Sequence, residues 1–337
     1  MPKALPSTVL VTGATGYIGA TLVRRLLADG CHVIALDNLQ RGHRAHLPAG
    51  LPLVEGDVRD ADAVRAALRQ FARPPEACIH LAGLIQVGES TRFPEMYRDI
   101  NAVGTQVVAD VCLDFGVPAL VMASSAAVLR PLTEGTGRLD EDAPVGPESP
   151  YGTSKLSGER TLHAAAQTAR MSTVALRLFN VAAAAYGLAE RHEPETHLIP
   201  LALRAATGEL PPLQVYGVDL PTPDGTCLRD YVHVLDVVEA FVRAARLALH
   251  QTAAGECEFQ VIHVGSGVGR SVREVMAACE QVLARPVPFV PHPRRPGDVP
   301  ALVADPRKLA RLLDIHPDPD ILRMARDAAL ALGLLAG

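Results

Sequence analysis

The sequence predicts a doubly wound α/β fold: a parallel sheet with helices on both faces, followed by a smaller α/β domain. Three observations carry this. Short apolar, β-branched runs alternate with segments of helical apolar spacing through the first 180 residues. The first run, Thr8–Thr12, opens directly into Gly13-Ala-Thr-Gly16-Tyr-Ile-Gly19 and then into a helical pattern, so glycines stand where a strand turns into a helix. Polar or glycine residues recur just past the ends of the runs, at Gly13, Asp37, Asp57, Gly83, Ser124, Ser125 and Asn180. In open α/β sheets that edge is where ligands bind.

Taken in order, the first helix covers residues 20–29, with Leu22, Val23, Leu26 and Leu27 on one face, and it stops at Gly30. The glycines before it let the backbone approach a pyrophosphate at the positive helix N-terminus. A second strand, residues 32–36, ends at Asp37, 18 residues beyond Gly19. A carboxylate there grips an adenosine ribose and repels a 2′-phosphate, which favours NAD over NADP. Arg41 points the other way, because it suits such a phosphate. Residues 51–55 form a third strand leading into Gly56-Asp57-Val58, and a helix follows over 61–71. Residues 77–81 form a fourth strand, ending in Ala82-Gly83, and 95–115 read as one long helix. A fifth strand (118–123), a helix (151–168) and a sixth strand (173–179) complete a Rossmann-type sheet.

After Asn180, Pro and Gly become frequent and the loops lengthen. Helices are expected over residues 198–206, 234–249, 272–283 and 320–332. Residues 260–264, followed by Gly265-Ser-Gly, resemble a seventh strand. The expected division is a dinucleotide-binding domain over 1–180, with a returning segment near 228–266, and a second domain over 181–337.

Composition excludes several classes. A net charge of −5, with 48% hydrophobic and 20% charged residues, is that of a soluble globular chain and gives no reason to expect nucleic acid or an anionic membrane as partner. No apolar run approaches the roughly 20 residues of a membrane helix, and the first residues lack the apolar segment of a signal peptide, so a cytoplasmic location is expected. The six cysteines are scattered without Cys-x-x-Cys and read as reduced residues, mostly in the core. The twelve histidines are dispersed and no metal site is expected; His80 reads as a satisfied core residue, His43 and His46 as loop residues. A serine-hydrolase Gly-x-Ser-x-Gly is absent.

Chemistry concentrates in Ser149-Pro-Tyr151-Gly-Thr-Ser-Lys155. Tyr and Lys four residues apart share a helix face, in a chain whose only lysines are Lys3, Lys155 and Lys308. The ammonium is expected to lower the phenol pKa. Ser125, at the end of strand five, completes a three-part arrangement: Tyr151 moves a proton, Lys155 tunes it and holds a ribose, and Ser125 hydrogen-bonds the reacting oxygen. Arg229-Asp230-Tyr231 and Arg294-Arg295-Pro-Gly-Asp298 put basic points in the second domain, suited to a second phosphorylated ligand.

Together with Leu36-Asp-Asn38, Glu55-Gly-Asp57, Val87-Gly-Glu-Ser90, Leu176-Arg-x-Phe-Asn180, Pro221-Thr-x-Asp-Gly225 and Arg229-Asp-Tyr-x-His-Val234, these segments resemble the UDP-glucose 4-epimerases, a branch of the extended short-chain dehydrogenase/reductases. The resemblance runs from about Thr8 to Asp305. It implies a tightly held NAD and a UDP-hexose. By position, Tyr151 would take the sugar 4-hydroxyl proton while hydride leaves C4, Ser125 would position that hydroxyl, and Lys155 would favour the phenolate. The 4-keto sugar would then turn and receive hydride on its other face. Gly13, Gly16, Tyr17, Ile18, Gly19, Asp37, Asn38, Asp57, Val58, Leu81, Ala82, Gly83, Asn101 and Phe179, with Tyr151 and Lys155, match the cofactor site. Asn180, His197, Leu198, Gln214, Tyr216, Arg229, Arg295 and Asp298 match UDP contacts, Tyr216 near uracil and the arginines at the diphosphate. The resemblance also implies a homodimer through helices near 94–115 and 151–168.

Departures fall near the sugar. Leu129-Arg130-Pro131 stands after Val128 where Tyr-Gly is usual, Ala127 replaces a frequent Thr, Leu178 a common Tyr, and Ile85 a Lys used by some members. Leu302 occupies the position that bears on whether an N-acetylated sugar fits. Epimerisation of UDP-glucose and UDP-galactose is the leading expectation. UDP-N-acetylhexosamine or UDP-pentose epimerisation, a sugar-nucleotide dehydratase and a non-catalytic NAD-binding regulator are the alternatives. Ala126-Ala127 lacks the acidic pair that a dehydratase wants.

Overall fold

Seven short runs rich in Val, Ile, Leu and Ala build one sheet: β1 (Thr8–Thr12), β2 (His32–Asp37), β3 (Leu53–Glu55), β4 (Ala77–His80), β5 (Ala119–Ser125), β6 (Ser172–Leu178) and β7 (Phe259–Val264). The computed structural model describes residues 6–130, 137–190, 194–294 and 299–335. The strand order is β3-β2-β1-β4-β5-β6-β7, and all neighbours are parallel. Five helices cover the sheet: α1 (Tyr17–Ala28), α2 (Ala61–Leu68), α3 (Gly104–Phe115), α4 (Pro150–Ala166) and α5 (Val234–Ala253).

The two-residue period of a strand sorts side chains between the faces. Val9, Val11, Val33, Ala35, Val121, Val174 and Leu176 meet Leu22, Val23 and Leu26 of α1 and Val237, Val238 and Phe241 of α5. Leu10, Ile34, Leu36, Cys78, Leu120, Met122 and Ala175 meet Val64 and Leu68 of α2, Val108 and Cys112 of α3, and Leu162 of α4. Both faces are buried, which is why these strands read as near-continuous apolar runs. β7 pairs with β6 along its whole length, from Phe259 opposite Thr173 to Val264 opposite Leu178.

The expected helix over 95–115 is broken. A turn at Pro94–Tyr97 runs into a π-helical stretch, Arg98–Val103, before α3 begins. The wider turn brings Asn101 inward, where its amide spans Leu84 and Ser154. Such π stretches recur at functional sites. Two helices escaped the sequence reading, Val87–Arg92 and Arg307–Leu313.

A second core lies beyond Asn180. Ile199 and Leu203 pack with Val275, Cys279, Met324 and Ala328 from the helices Leu198–Thr207, Val272–Leu283 and Ile321–Ala331. Short strands join it: Asn180–Ala182 and Ala301–Leu302 both run parallel to Leu228–His233, and Leu213–Tyr216 runs parallel to Phe289–His292. None of the six cysteines is in a disulfide; Cys31, Cys78, Cys112 and Cys279 are buried, and Cys227 and Cys257 half-buried. Among the described residues no helix is long and apolar enough to cross a membrane, and no cluster of His, Cys, Asp and Glu could hold a metal.

Candidate active site

The strand order reverses between β1 and β4, so the chain leaves these two strands in opposite directions and opens a crevice at their C-terminal ends. A cavity of about 660 Å³ lies there. Its floor is the glycine turn. Gly13 adopts φ +68°, and a Cβ on it would stand 2.5 Å from Ala82 N; one on Gly19 would stand 2.1 Å from Gly13 O. Both positions therefore require glycine. Gly16, Tyr17, Ile18 and Gly19 bring the N-terminus of α1 to the cavity wall. Asp37 is held at the end of β2, its Oδ2 accepting from Thr15 N at 2.9 Å and its Oδ1 from Leu39 N at 2.9 Å. Asn38, Asp57, Val58, Leu81, Ala82, Gly83 and Phe179 line the same space. The close-approach glycines, the helix N-terminus and the carboxylate together fit a dinucleotide without a 2′-phosphate. Arg41 also lines this space, with its guanidinium held in an ion pair with Glu89 at 2.7 Å.

β5 delivers Ser125 to the cavity, and α4 delivers Tyr151 and Lys155. α4 starts on Pro150 behind the cap Ser149, whose Oγ accepts from Gly152 N at 3.1 Å. A Cβ on Gly152 would stand 2.2 Å from Ala127 O, so this turn of α4 lies hard against the chain leaving β5. Lys155 Nζ donates to Ala123 O at 3.0 Å. Burial lowers the pKa of Lys155 to about 8. Tyr151 departs from the sequence expectation: its pKa is raised, not lowered. Burial of the phenol is the main cause, and the hydrogen bond with Ser125 works against it. The ammonium sits on the Ala123 carbonyl, so burial governs the phenol instead. Tyr97 stands edge-on to Tyr151, ring centroids 6.2 Å apart at 87°.

Beneath this trio, His80 is the satisfied core residue expected. Its Nδ1 lies 2.7 Å from Thr12 Oγ1 and its Nε2 3.0 Å from Thr105 Oγ1. Burial, with the charge of Lys155, lowers its pKa to about 3. Asn101 does not line the cavity. It is buried and accepts from Leu84 N at 2.8 Å while donating to Leu84 O at 2.9 Å and Ser154 Oγ at 3.0 Å, fixing the turn after β4 to α4. Tyr17 lines the cavity with its hydroxyl committed to Ala182 O and Ala183 O.

Across the cavity stand Asn180, His197, Leu198, Gln214, Tyr216, Arg229 and Leu302. His197 caps the helix Leu198–Thr207 and pairs with Glu195 at 2.8 Å. Burial lowers the imidazole pKa, but the hydrogen bond to Glu195 and the nearby charges of Glu190 and Glu195 outweigh it and raise the pKa overall. Tyr216 and Gln214 hydrogen-bond through their side chains, and the Tyr216 ring lies against His292. Arg229 Nη1 donates to Leu228 O at 2.9 Å and Val299 O at 3.0 Å. Its neighbour Asp230 is buried and accepts from Ser266, Gly267 and Ala304, tying the exit of β7 to the second core. Arg295 and Asp298 lie outside the described residues, as does Pro131.

Sequence reasoning missed three supports. Glu159 of α4 forms a buried ion pair with Arg177 of β6 at 2.8 Å and accepts from Ser124. Glu89 and Tyr97 hydrogen-bond at 2.9 Å. The Tyr97–Tyr151 contact joins two helices through residues 54 positions apart. Glu89 and Arg177 carried a signal, as parts of Val87-Gly-Glu-Ser90 and Leu176-Arg-x-Phe-Asn180, but neither motif named its partner.

The model of the NAD dependent epimerase/dehydratase family matches residues 9–255. The chain belongs to this family. Among relatives of this epimerase/dehydratase-family chain, the UDP-glucose 4-epimerase of Streptomyces lividans is 38% identical over 95% of this chain and 94% of its own. A UDP-glucose 4-epimerase of Brucella ovis, solved in complex with NAD, superposes with a TM-score of 0.88 at 37% identity, covering 97% of this chain and 98% of that one. The UDP-glucose-4-epimerase of Stenotrophomonas maltophila, solved with bound NAD and formylated UDP-arabinopyranose, superposes with a TM-score of 0.90 at 33% identity, covering 97% of this chain and 98% of that one.

Proposed function

We propose that this chain is an NAD-dependent 4-epimerase interconverting UDP-glucose and UDP-galactose through a 4-keto sugar. The observation that carries the reading is that one cavity holds both the Ser125–Tyr151–Lys155 trio and the facing set Asn180, Gln214, Tyr216 and Arg229. Gly13, Gly16, Asp37 and the α1 N-terminus hold NAD, which supplies the hydride acceptor and donor. The second domain's residues hold the UDP end and bring the hexose to the trio. Ser125 orients the sugar 4-hydroxyl, and Tyr151 Oη accepts its proton and later returns it. The raised phenol pKa makes Tyr151 an effective donor in the return step, and the hydrogen bond with Ser125 offsets part of the cost of its negative form. Ala126 and Ala127 supply no carboxylate for eliminating water, which favours reversible epimerisation over dehydration.

Incubating the purified protein with UDP-galactose, without added NAD, and separating the nucleotide sugars tests this. UDP-glucose should accumulate to equilibrium. A folded protein that retains NAD and forms none refutes the reading. Parallel incubations with UDP-N-acetylglucosamine and a UDP-pentose read out the pocket beside Leu302. We propose a homodimer formed through the helices near residues 94–115 and 151–168; a monomer mass by light scattering would reject it.

A further inference from the structure

Arg41 lies in the loop leaving β2, and Glu89 on the helix Val87–Arg92 leaving β4. β1 sits between those two strands in the sheet. An ion pair joining the two exits therefore crosses above the exit of β1, where the Gly13–Gly19 turn lies. The walls on both sides belong to the dinucleotide cavity: Gln40, Arg41 and Gly42 on one, Ile85 and Val87 on the other. The pair is built on fixed supports. Glu89 Oε1 accepts from Arg41 Nη2 at 2.7 Å, while Oε2 accepts from Tyr97 OH at 2.9 Å. Tyr97 is fully buried and its oxygen also accepts from Gln86 N at 3.0 Å. On the other side the loop rests on the glycine turn, with His43 N donating to Thr15 O at 3.3 Å and His46 Nδ1 at 3.0 Å from the same oxygen. One end is thus a preset carboxylate and the other a half-exposed guanidinium.

We propose that the Arg41–Glu89 pair is a strap across the dinucleotide crevice that must open before bound NAD can leave. It rests on the reading that this crevice holds NAD. A cofactor regenerated within each turnover has no need to exchange, so a strap costs the cycle nothing. Electrostatics suit the task, because a half-exposed pair is weak enough to open at times.

The test loads wild-type protein, Arg41→Ala and, as a control on the same helix, Arg92→Ala with NAD, then follows release into an excess of an NAD-hydrolysing enzyme. Arg41→Ala leaves the Tyr97–Glu89 hydrogen bond in place and isolates the strap. Release from it should be about fivefold faster than wild type, in keeping with the strength of a half-exposed pair, and it should purify with less bound NAD. Arg92→Ala should match wild type. Added salt should hasten release from wild type and leave Arg41→Ala unchanged. The exchanged pair Arg41→Glu/Glu89→Arg should recover slow release if it folds; the single variant and the salt series decide without it. Equal release rates for Arg41→Ala and wild type overturn the strap alone. Wild-type protein that binds no NAD overturns the cofactor reading itself.

Discussion

Acid should weaken this fold through His80. The imidazole is buried between β1 and α3, and its pKa is lowered to about 3, against about 6.5 when exposed. Between those values the unfolded chain binds a proton that the folded one refuses, so stability rises with pH across the window from about 3 to 6.5. It is fully present above 6.5 and is lost as pH falls below it. Linkage makes the loss about 2 kcal/mol at pH 5, against almost nothing at pH 7.5. With an unfolding entropy of about 2.1 cal/mol/K per residue over this chain, 2 kcal/mol is a drop of about 3 °C in Tm. The perturbation is His80→Gln, which keeps donor and acceptor capacity and cannot titrate. Calorimetry at both pH values on wild type and variant gives a difference of differences, so any constant cost of the substitution cancels. The variant should lose about 3 °C less than wild type on going to pH 5. Equal losses would mean that His80 charges in place, and that the Thr12–His80–Thr105 chain does not exclude a proton.

Tyr151→Phe should bind UDP within about twofold of wild type by calorimetry and lose turnover by about 10²–10⁴, the usual worth of general acid–base catalysis; near-normal turnover would rule out the proposed proton path. Gly83→Ala places a methyl 2.8 Å from Asn101 Oδ1 and 3.2 Å from Lys155 Nζ. Overpacking of about 1–3 kcal/mol should leave the protein folded, with turnover down about tenfold as the ammonium moves; unchanged turnover would show that Lys155 has slack. Glu159→Gln leaves the buried Arg177 guanidinium without its counter-charge, at a cost of about 3–5 kcal/mol. A fall in Tm of about 5 °C is expected, and a fall under about 1 °C would show that the pair contributes little.

The sheet was legible because both of its faces are buried, so its strands are short apolar runs that little else resembles. The glycine turn and Tyr151–Lys155 were legible because their chemistry needs fixed local spacing. What escaped depends on distant partners. Nothing local to residues 98–103 signals a π turn; it exists because Asn101 is drawn toward Leu84 and Ser154. Glu159 and Arg177 look like surface residues of a helix and a strand until α4 is laid on the sheet. The phenol pKa was misjudged because spacing reports a neighbour's charge but not the loss of water around the ring.

The last strand of the sheet has a consequence for how the chain is made. β7 comes from residues 259–264, yet it closes the edge of β6, whose residues emerge from the ribosome some 85 positions earlier. Through that interval a nascent chain presents β6 as an open apolar edge, and until α5 is complete the β5–β6 face also lacks its cover. Exposed strand edges template association between chains. A stop codon or frameshift shortly before residue 259 therefore costs more than the rest of the second domain: it leaves a sheet that pairs with other copies of itself.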